Sequence, residues 1–188
     1  MVSFVILHIG QDLTSMRHAI SVLLQNEVGA LTRMTGMFSS RSYNIETLNV
    51  APTYDPSVSR VTLVVSGSDA AIAQLNALLA KLVDVVNIHD MTLGEHFERE
   101  LAIIKVKLSA DGLNKIMKMS QQFGAVVLDE AQNSCTVQLT GKVKEIDAFI
   151  LRIADLGKIS AVARSGTVAV SKGEVTLTSF DLQHLLVE

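Results

Sequence analysis

The feature that most constrains this chain is a pattern written twice: strand, helix, strand, strand, helix, strand, and then the same again. The first copy opens with an apolar run over 18–24, followed by the turn-like Gln25-Asn26-Glu27. Leu31, Met34 and Phe38 recur at the spacing of one helical face, which predicts a helix over about 29–41. Strands are expected at 43–50 and, in β-branched residues, at 58–66, with Asp55-Pro56-Ser57 turning between them. Ile72, Leu75, Leu79 and Leu82 stripe a second helix that Ser68 or Asp69 is placed to cap, and 83–93 closes the unit as a strand.

The second copy is equally periodic. In Ile104-Lys105-Val106-Lys107-Leu108 apolar and charged residues alternate, as in a half-buried strand. Leu113, Ile116, Met117 and Ser120 share a helical face, and 125–128 with 135–139 form a hairpin around 130–134. Val143, Ile146, Ile150 and Ile153 stripe the last helix, and 159–163 is the closing strand. Two βαββαβ units of about 75 residues imply an α+β fold of two ferredoxin-like sandwiches, each a four-stranded antiparallel sheet with helices on one face. The bare side of such a sheet commonly pairs with a neighbour, so a homodimer is expected. The expected boundaries are an N-terminal extension 1–15, a first domain 16–94, an acidic linker 95–98, a second domain 99–173 and a tail 174–188.

Composition agrees with two packed domains. Apolar residues make up 48% and charged residues 19%, with only two prolines, which argues against a disordered or loop-dominated chain. Cys135 is the only cysteine, so no internal disulfide forms, nothing requires an oxidising compartment, and a cytoplasmic location is expected. The apolar stretch 2–10 has no Lys or Arg ahead of it and falls short of the about 20 residues that span a bilayer, so neither a secretory signal nor a membrane span is expected. The net charge of −3 conceals a mild polarity: residues 1–99 hold 6 Lys+Arg against 9 Asp+Glu, and residues 100–173 hold 10 against 7. Neither part is basic enough to expect a nucleic-acid partner.

Catalytic motifs are missing. Cys135 falls on the apolar face of a strand, where a buried, inert thiol is expected. The five histidines (8, 18, 89, 96 and 184) have no HExxH spacing and no partner cysteines. His89-Asp90, Glu95-His96, Glu98 and Glu100 are metal-ligand types, but they sit on an expected solvated joint, where charges are the default. No GxSxG elbow, phosphate loop or GxGxxG after a strand occurs.

The informative spot is the first strand-to-helix turn, Asn26-Glu27-Val28-Gly29-Ala30-Leu31. A helix starting near Gly29 leaves N–H groups unpaired and carries partial positive charge there, an end that suits a small carboxylate. Gly29 lets a ligand approach the backbone closely. The amide oxygen of Asn26 suits an ammonium group, and Leu31 and Ile45 suit the walls around a branched side chain. Together these match a free α-amino acid. On chemistry alone, however, Asn and Gly at a helix start are ordinary capping and turn residues.

Resemblance tips that balance. The stretch MRHAISVLLQNEVGALTRMTGMFSSRSYNIETLNVAPTYDPSVSRVTLVV from Met16 resembles the ACT domain of small regulatory subunits of acetolactate (acetohydroxyacid) synthase. The likeness continues through KLVDVVNIHDM, ERELAIIKVK, VQLTGKVKEIDAFI and ISAVARSGTVAVSKG, and so covers about 16–173. It implies a chain in branched-chain amino-acid biosynthesis that binds and activates the catalytic large subunit and mediates feedback inhibition, usually by valine, with leucine and isoleucine as the other effectors. Thiamine diphosphate, Mg²⁺ and FAD would sit on the large subunit, and this chain would carry no cofactor, metal or catalytic residue. The family's effector site falls on Asn26, Gly29, Ala30 and Leu31, and on Asn44 and Ile45 from the paired subunit of an ACT homodimer. Ser42 stands where RGYNI-type sequences have glycine. Three rivals remain at this level: an ACT sensor serving a different enzyme, a transcription regulator and a small ferredoxin-like catalyst. No helix-turn-helix follows the sensing unit, and a catalyst would need a polar constellation on strands that are mostly Val, Ile, Leu, Thr and Ser.

Overall fold

The apolar run expected at 18–24 is strand β1, Met16–Gln25, in the computed structural model, which describes residues 16–108 and 112–178. Helix α1 (Ala30–Ser40), strands β2 (Ile45–Pro52) and β3 (Val58–Gly67), helix α2 (Asp69–Leu79), strand β4 (Val85–Asp90) and a 3₁₀ turn, Met91–Leu93, follow. The sheet order is β2-β3-β1-β4, all antiparallel, with Ile20 opposite Leu63 and Gln25 opposite Val58. Ile20, Val22 and Leu24 of β1 and Val61, Leu63 and Val65 of β3 turn alternate side chains toward the helices. There they bury Ala30, Met34 and Phe38 of α1 and Ile72, Leu75 and Leu79 of α2, at roughly 1.5–3 kcal/mol for each large side chain.

Helix α1 departs from its expected rotation and ends in a defined way. Its buried face runs through Ala30, Met34 and Phe38, and Leu31, expected on that face, is 37% exposed. Met34 and Phe38 set the face, and the residue four before Met34 is Ala30, so Leu31 is rotated out by about 100°. The helix closes in a Schellman motif: Ser42 takes φ 59°, the N–H of Tyr43 reaches Phe38 O at 3.1 Å, and the N–H of Ser42 reaches Ser39 O at 3.2 Å. The Phe38 and Tyr43 rings then meet edge-on at 6.4 Å. At α2, Ser68 is the cap, its hydroxyl accepting from the N–H of Ala71 at 3.3 Å.

The sheet's second face, expected to be bare, is partly covered. Ala19, Ser21, Leu23, Thr62 and Val64 are buried as well. Part of the cover is the chain's own far end: Leu177 is 9% exposed and packs with Leu23, Val58 and Val86. Residues 175–178, expected in a tail outside both domains, therefore belong to the first unit. Sequence periodicity carries no signal for so distant a contact.

The second unit comprises β5 (His96–Leu108), α3 (Gly112–Phe123), β6 (Val126–Ala131), β7 (Ser134–Gly141), α4 (Val143–Ala154), β8 (Gly157–Arg164) and β9 (Val168–Ser171). Its order β6-β7-β5-β8 repeats that of the first sheet. Ile104 and Val106 point inward and Lys105 and Lys107 outward, so the charge alternation is realised as a half-buried strand. Ile116 and Met119 of α3 and Ile146, Phe149 and Ile153 of α4 fill the core, while Met117 is turned outward, 39% exposed. His96, Phe97 and Glu98, expected within a linker, are the first residues of β5, and the stretch pairs with β9, His96 opposite Ser171 and Arg99 opposite Val168. Their charges obscured a strand period of two. Glu100, 1% exposed, receives Arg164 Nε at 2.9 Å and Nη2 at 2.6 Å, and Arg164 Nη1 also reaches Asp147 at 2.8 Å.

Candidate functional site

The β1–α1 turn is held by backbone bonds to its neighbours and by the side chain of Asn26. The N–H of Gln25 donates to Asp84 O at 2.8 Å and that of Asn26 to Ser57 O at 2.7 Å. Asn26 Nδ2 donates to Pro56 O at 3.0 Å, and its amide oxygen is an acceptor. Val28 is fully exposed at the tip, and Gly29 takes φ +88°, a left-handed conformation that glycine adopts without strain. Gly29 occupies the N-cap position of α1, where no side chain caps the helix, in contrast to Ser68 at α2. An N-terminus lacking its own cap is an end suited to an anionic guest.

Above this turn sits a cation that the sequence did not single out. Arg33, one turn along α1, donates from Nε and Nη2 to the two oxygens of Asp84 at 2.6 and 2.7 Å. Its Nη1 lies 2.8 Å from the point a Cβ on Gly29 would occupy. The hydrogen bond from Arg33 holds the Asp84 carboxyl below the usual carboxylate range, and the same pairing raises the guanidinium's own value. The spacing of Gly29 and Arg33, four residues on one helical face, was the available signal; the partner is 51 residues further on.

Asn26, Gly29, Ala30 and Leu31 are thus together at one end of the sheet. Asn44, immediately before β2, and Ile45 are at the other. Ile45 pairs with Val65, which pairs with His18, whereas the turn follows Gln25. The seven residue steps along β1 from His18 to Gln25 span about 23 Å. One chain does not bring the two halves together.

The remaining reactive side chains are accounted for structurally. Cys135 is fully buried, and burial, with Glu130 and Asp129 adding to it, pushes its thiol up. His18, 2% exposed, lies with Nδ1 3.2 Å from Asp90 and Nε2 3.4 Å from Asp69, and His96 pairs with Glu98 at 3.0 Å. Asp90 of the expected joint thus lies by His18 and His96 by Glu98, and among the described residues no group of three or more ligand-type side chains is placed to hold a metal ion. No helix among them is long and apolar enough to cross a membrane.

The two units match two family models, an AHAS small subunit-like ACT domain over residues 20–87 and the small subunit of acetolactate synthase over residues 99–173. The acetolactate synthase isozyme 3 small subunit of Escherichia coli is 43% identical over 159 residues, which are 85% of this chain and 98% of that protein. This chain belongs to the acetolactate synthase small-subunit family. The acetolactate synthase small subunit of Haemophilus influenzae is 40% identical over the same shares of the two chains. A crystal structure of the acetolactate synthase small subunit from Thermotoga maritima superposes with a TM-score of 0.78 at 27% identity, covering 85% of this chain and 99% of that one. An acetolactate synthase small subunit has a catalytic large subunit as its partner.

Proposed function

We propose that this chain regulates acetolactate synthase by binding valine between two ACT units, activating the large subunit and conferring feedback inhibition on it. The observation that carries this reading is the uncapped start of α1 over Gly29, with the Arg33 guanidinium beside it. That end suits the effector's carboxylate, and the free oxygen of Asn26 suits its ammonium group. The second half of the site is supplied by another copy. β2 is an edge strand. Two such edges abutting in antiparallel fashion carry Asn44 and Ile45 of one chain toward the turn of the other. Thiamine diphosphate, Mg²⁺ and FAD are assigned to the large subunit, and valine shifts that enzyme by a coupling of about 1–3 kcal/mol.

Isothermal titration of the purified chain with valine tests binding, and absence of heat at millimolar valine removes it. The shared site has a separate test. Gly29→Asp chains and Asn44→Ala chains are each expected to be unresponsive. Mixed dimers contain one site with both lesions and one with neither, so mixing restores part of the response. A mixture as silent as its components places the whole site within one chain.

A further inference from the structure

Three large apolar side chains of the first unit stand in solvent at loop tips on one end of its sheet. Val28 and Tyr54 are fully exposed and Val83 is 82% exposed. Val28 is in the turn after β1, Tyr54 in the turn from β2 to β3, and Val83 in the segment between α2 and β4. Because the sheet order is β2-β3-β1-β4, these turns lie side by side. At about 4.8 Å between neighbouring strands, the three tips spread over about 15 Å. Hydrogen bonds tie the turns together: the N–H of Asn26 to Ser57 O at 2.7 Å, Asn26 Nδ2 to Pro56 O at 3.0 Å, and the N–H of Gln25 to Asp84 O at 2.8 Å. Arg33 adds its two bonds to Asp84. Glu27, Asp55 and Lys81, all exposed, give the group a polar rim. Exposed apolar side chains gathered inside a polar rim mark a protein-docking surface, and tyrosine is a residue type enriched among binding hot spots.

We propose that Val28, Tyr54 and Val83 form a docking surface for the catalytic large subunit, which meets them with an apolar recess. Pairing of two copies through the β2 edge runs along the strands and leaves the strand ends clear, so a different partner covers these tips. Val28 is also joined directly to Gly29, where the effector's carboxylate sits in the function proposed above, and the docking surface rests on that function. A partner seated on Val28 feels any change at Gly29 through one peptide bond. The Arg33–Asp84 clasp passes the same change to Val83, the residue before Asp84. Effector and large subunit thus share one turn, and by linkage each alters the other's affinity for it.

The full natural chain, a Tyr54→Ser, Val83→Ser variant and a Leu93→Ser control are each titrated into the large subunit. Complex formation is followed by sedimentation, and activation is measured in the same samples. Leu93 is 84% exposed and follows β4 at the opposite end of the sheet, so it matches the loss of exposed apolar surface without touching the patch. The double variant is expected to need about tenfold more chain for half-saturation, with its valine heat and the control's half-saturation unchanged. Equal half-saturation in all three proteins overturns the proposal, and so does an equal loss in the control. A double variant that elutes as a smaller species than the natural chain puts the patch between two copies and also overturns it. Binding of the natural chain without activation or valine response refutes the function proposed above, and the docking surface is then decided by the three binding curves alone.

Discussion

Arg33 grips Asp84 through two nitrogens, at 2.6 and 2.7 Å, and holds its third over Gly29. The strand-to-helix turn is thereby tied to the segment just ahead of β4, and a positive charge is fixed where the helix begins. Gly29→Asp acts here in two ways. A side chain at φ +88° costs about 1 kcal/mol, and its carboxylate enters the space beside Arg33 that the proposed site gives to the effector's own. Valine inhibition of the reconstituted synthase is expected to vanish while the chain still assembles with the large subunit. Inhibition curves and size-exclusion profiles measure the two properties separately.

The same pair makes stability depend on acidity. Asp84 is 3% exposed, and its folded-state carboxyl is held below the ordinary value by Arg33. Its contribution is therefore complete above the unfolded-state value, near 4, and is lost as the pH falls through the folded-state value. Urea midpoints of the natural chain and of Asp84→Asn are expected to differ most at neutral pH and to converge in acid. A constant difference from pH 7 to pH 2 contradicts this.

Ser42 holds the left-handed position of the Schellman motif, a place that favours glycine. Ser42→Gly relieves the backbone strain and loses some in unfolded-chain entropy, for a net gain of about 0.5 kcal/mol. Because Asn44 is two residues on, the expected result is a raised thermal midpoint with an altered valine affinity. Calorimetry and titration of the same sample check both.

Glu100 is almost fully buried, and Arg164, a third exposed, is its two-point partner. Arg164→Met leaves a buried carboxylate without its cation. Breaking such a pair costs about 3 kcal/mol, at the lower end because Arg164 keeps contact with water. Denaturation is expected to show an earlier loss of the second unit, with valine binding by the first retained.

How much of the fold and of the site was legible depended on the distance over which each contact acts. The duplicated strand and helix periods are local, and Ile104-Lys105-Val106-Lys107 folds as its alternation indicated. The strand-to-helix turn at Asn26 to Gly29 was legible because a turn is local too. Leu31 was misplaced by one position because a stripe of three apolar residues does not fix a helix's rotation; packing of Met34 and Phe38 does. The Arg33–Asp84 clasp and the β5–β9 pairing join segments far apart in sequence, and neither side alone carries a local signal of its partner. Residues 175–178, Val-Thr-Leu-Thr, alternate over too short a run to name a partner, and only the packing of Leu177 on Leu23 locates them.

That last contact has a consequence for the order in which the molecule is made. A ribosome delivers Leu23 before every residue of the second unit and Leu177 after all of them. Domains emerging from the ribosome generally fold N-terminal first, yet here the first to appear is the last to be finished. Until Leu177 has been added, the apolar surface around Leu23, Val58 and Val86 waits without that cover. A prematurely terminated chain, even one containing both family-matched regions, keeps that surface as an exposed handle for chaperones and proteases.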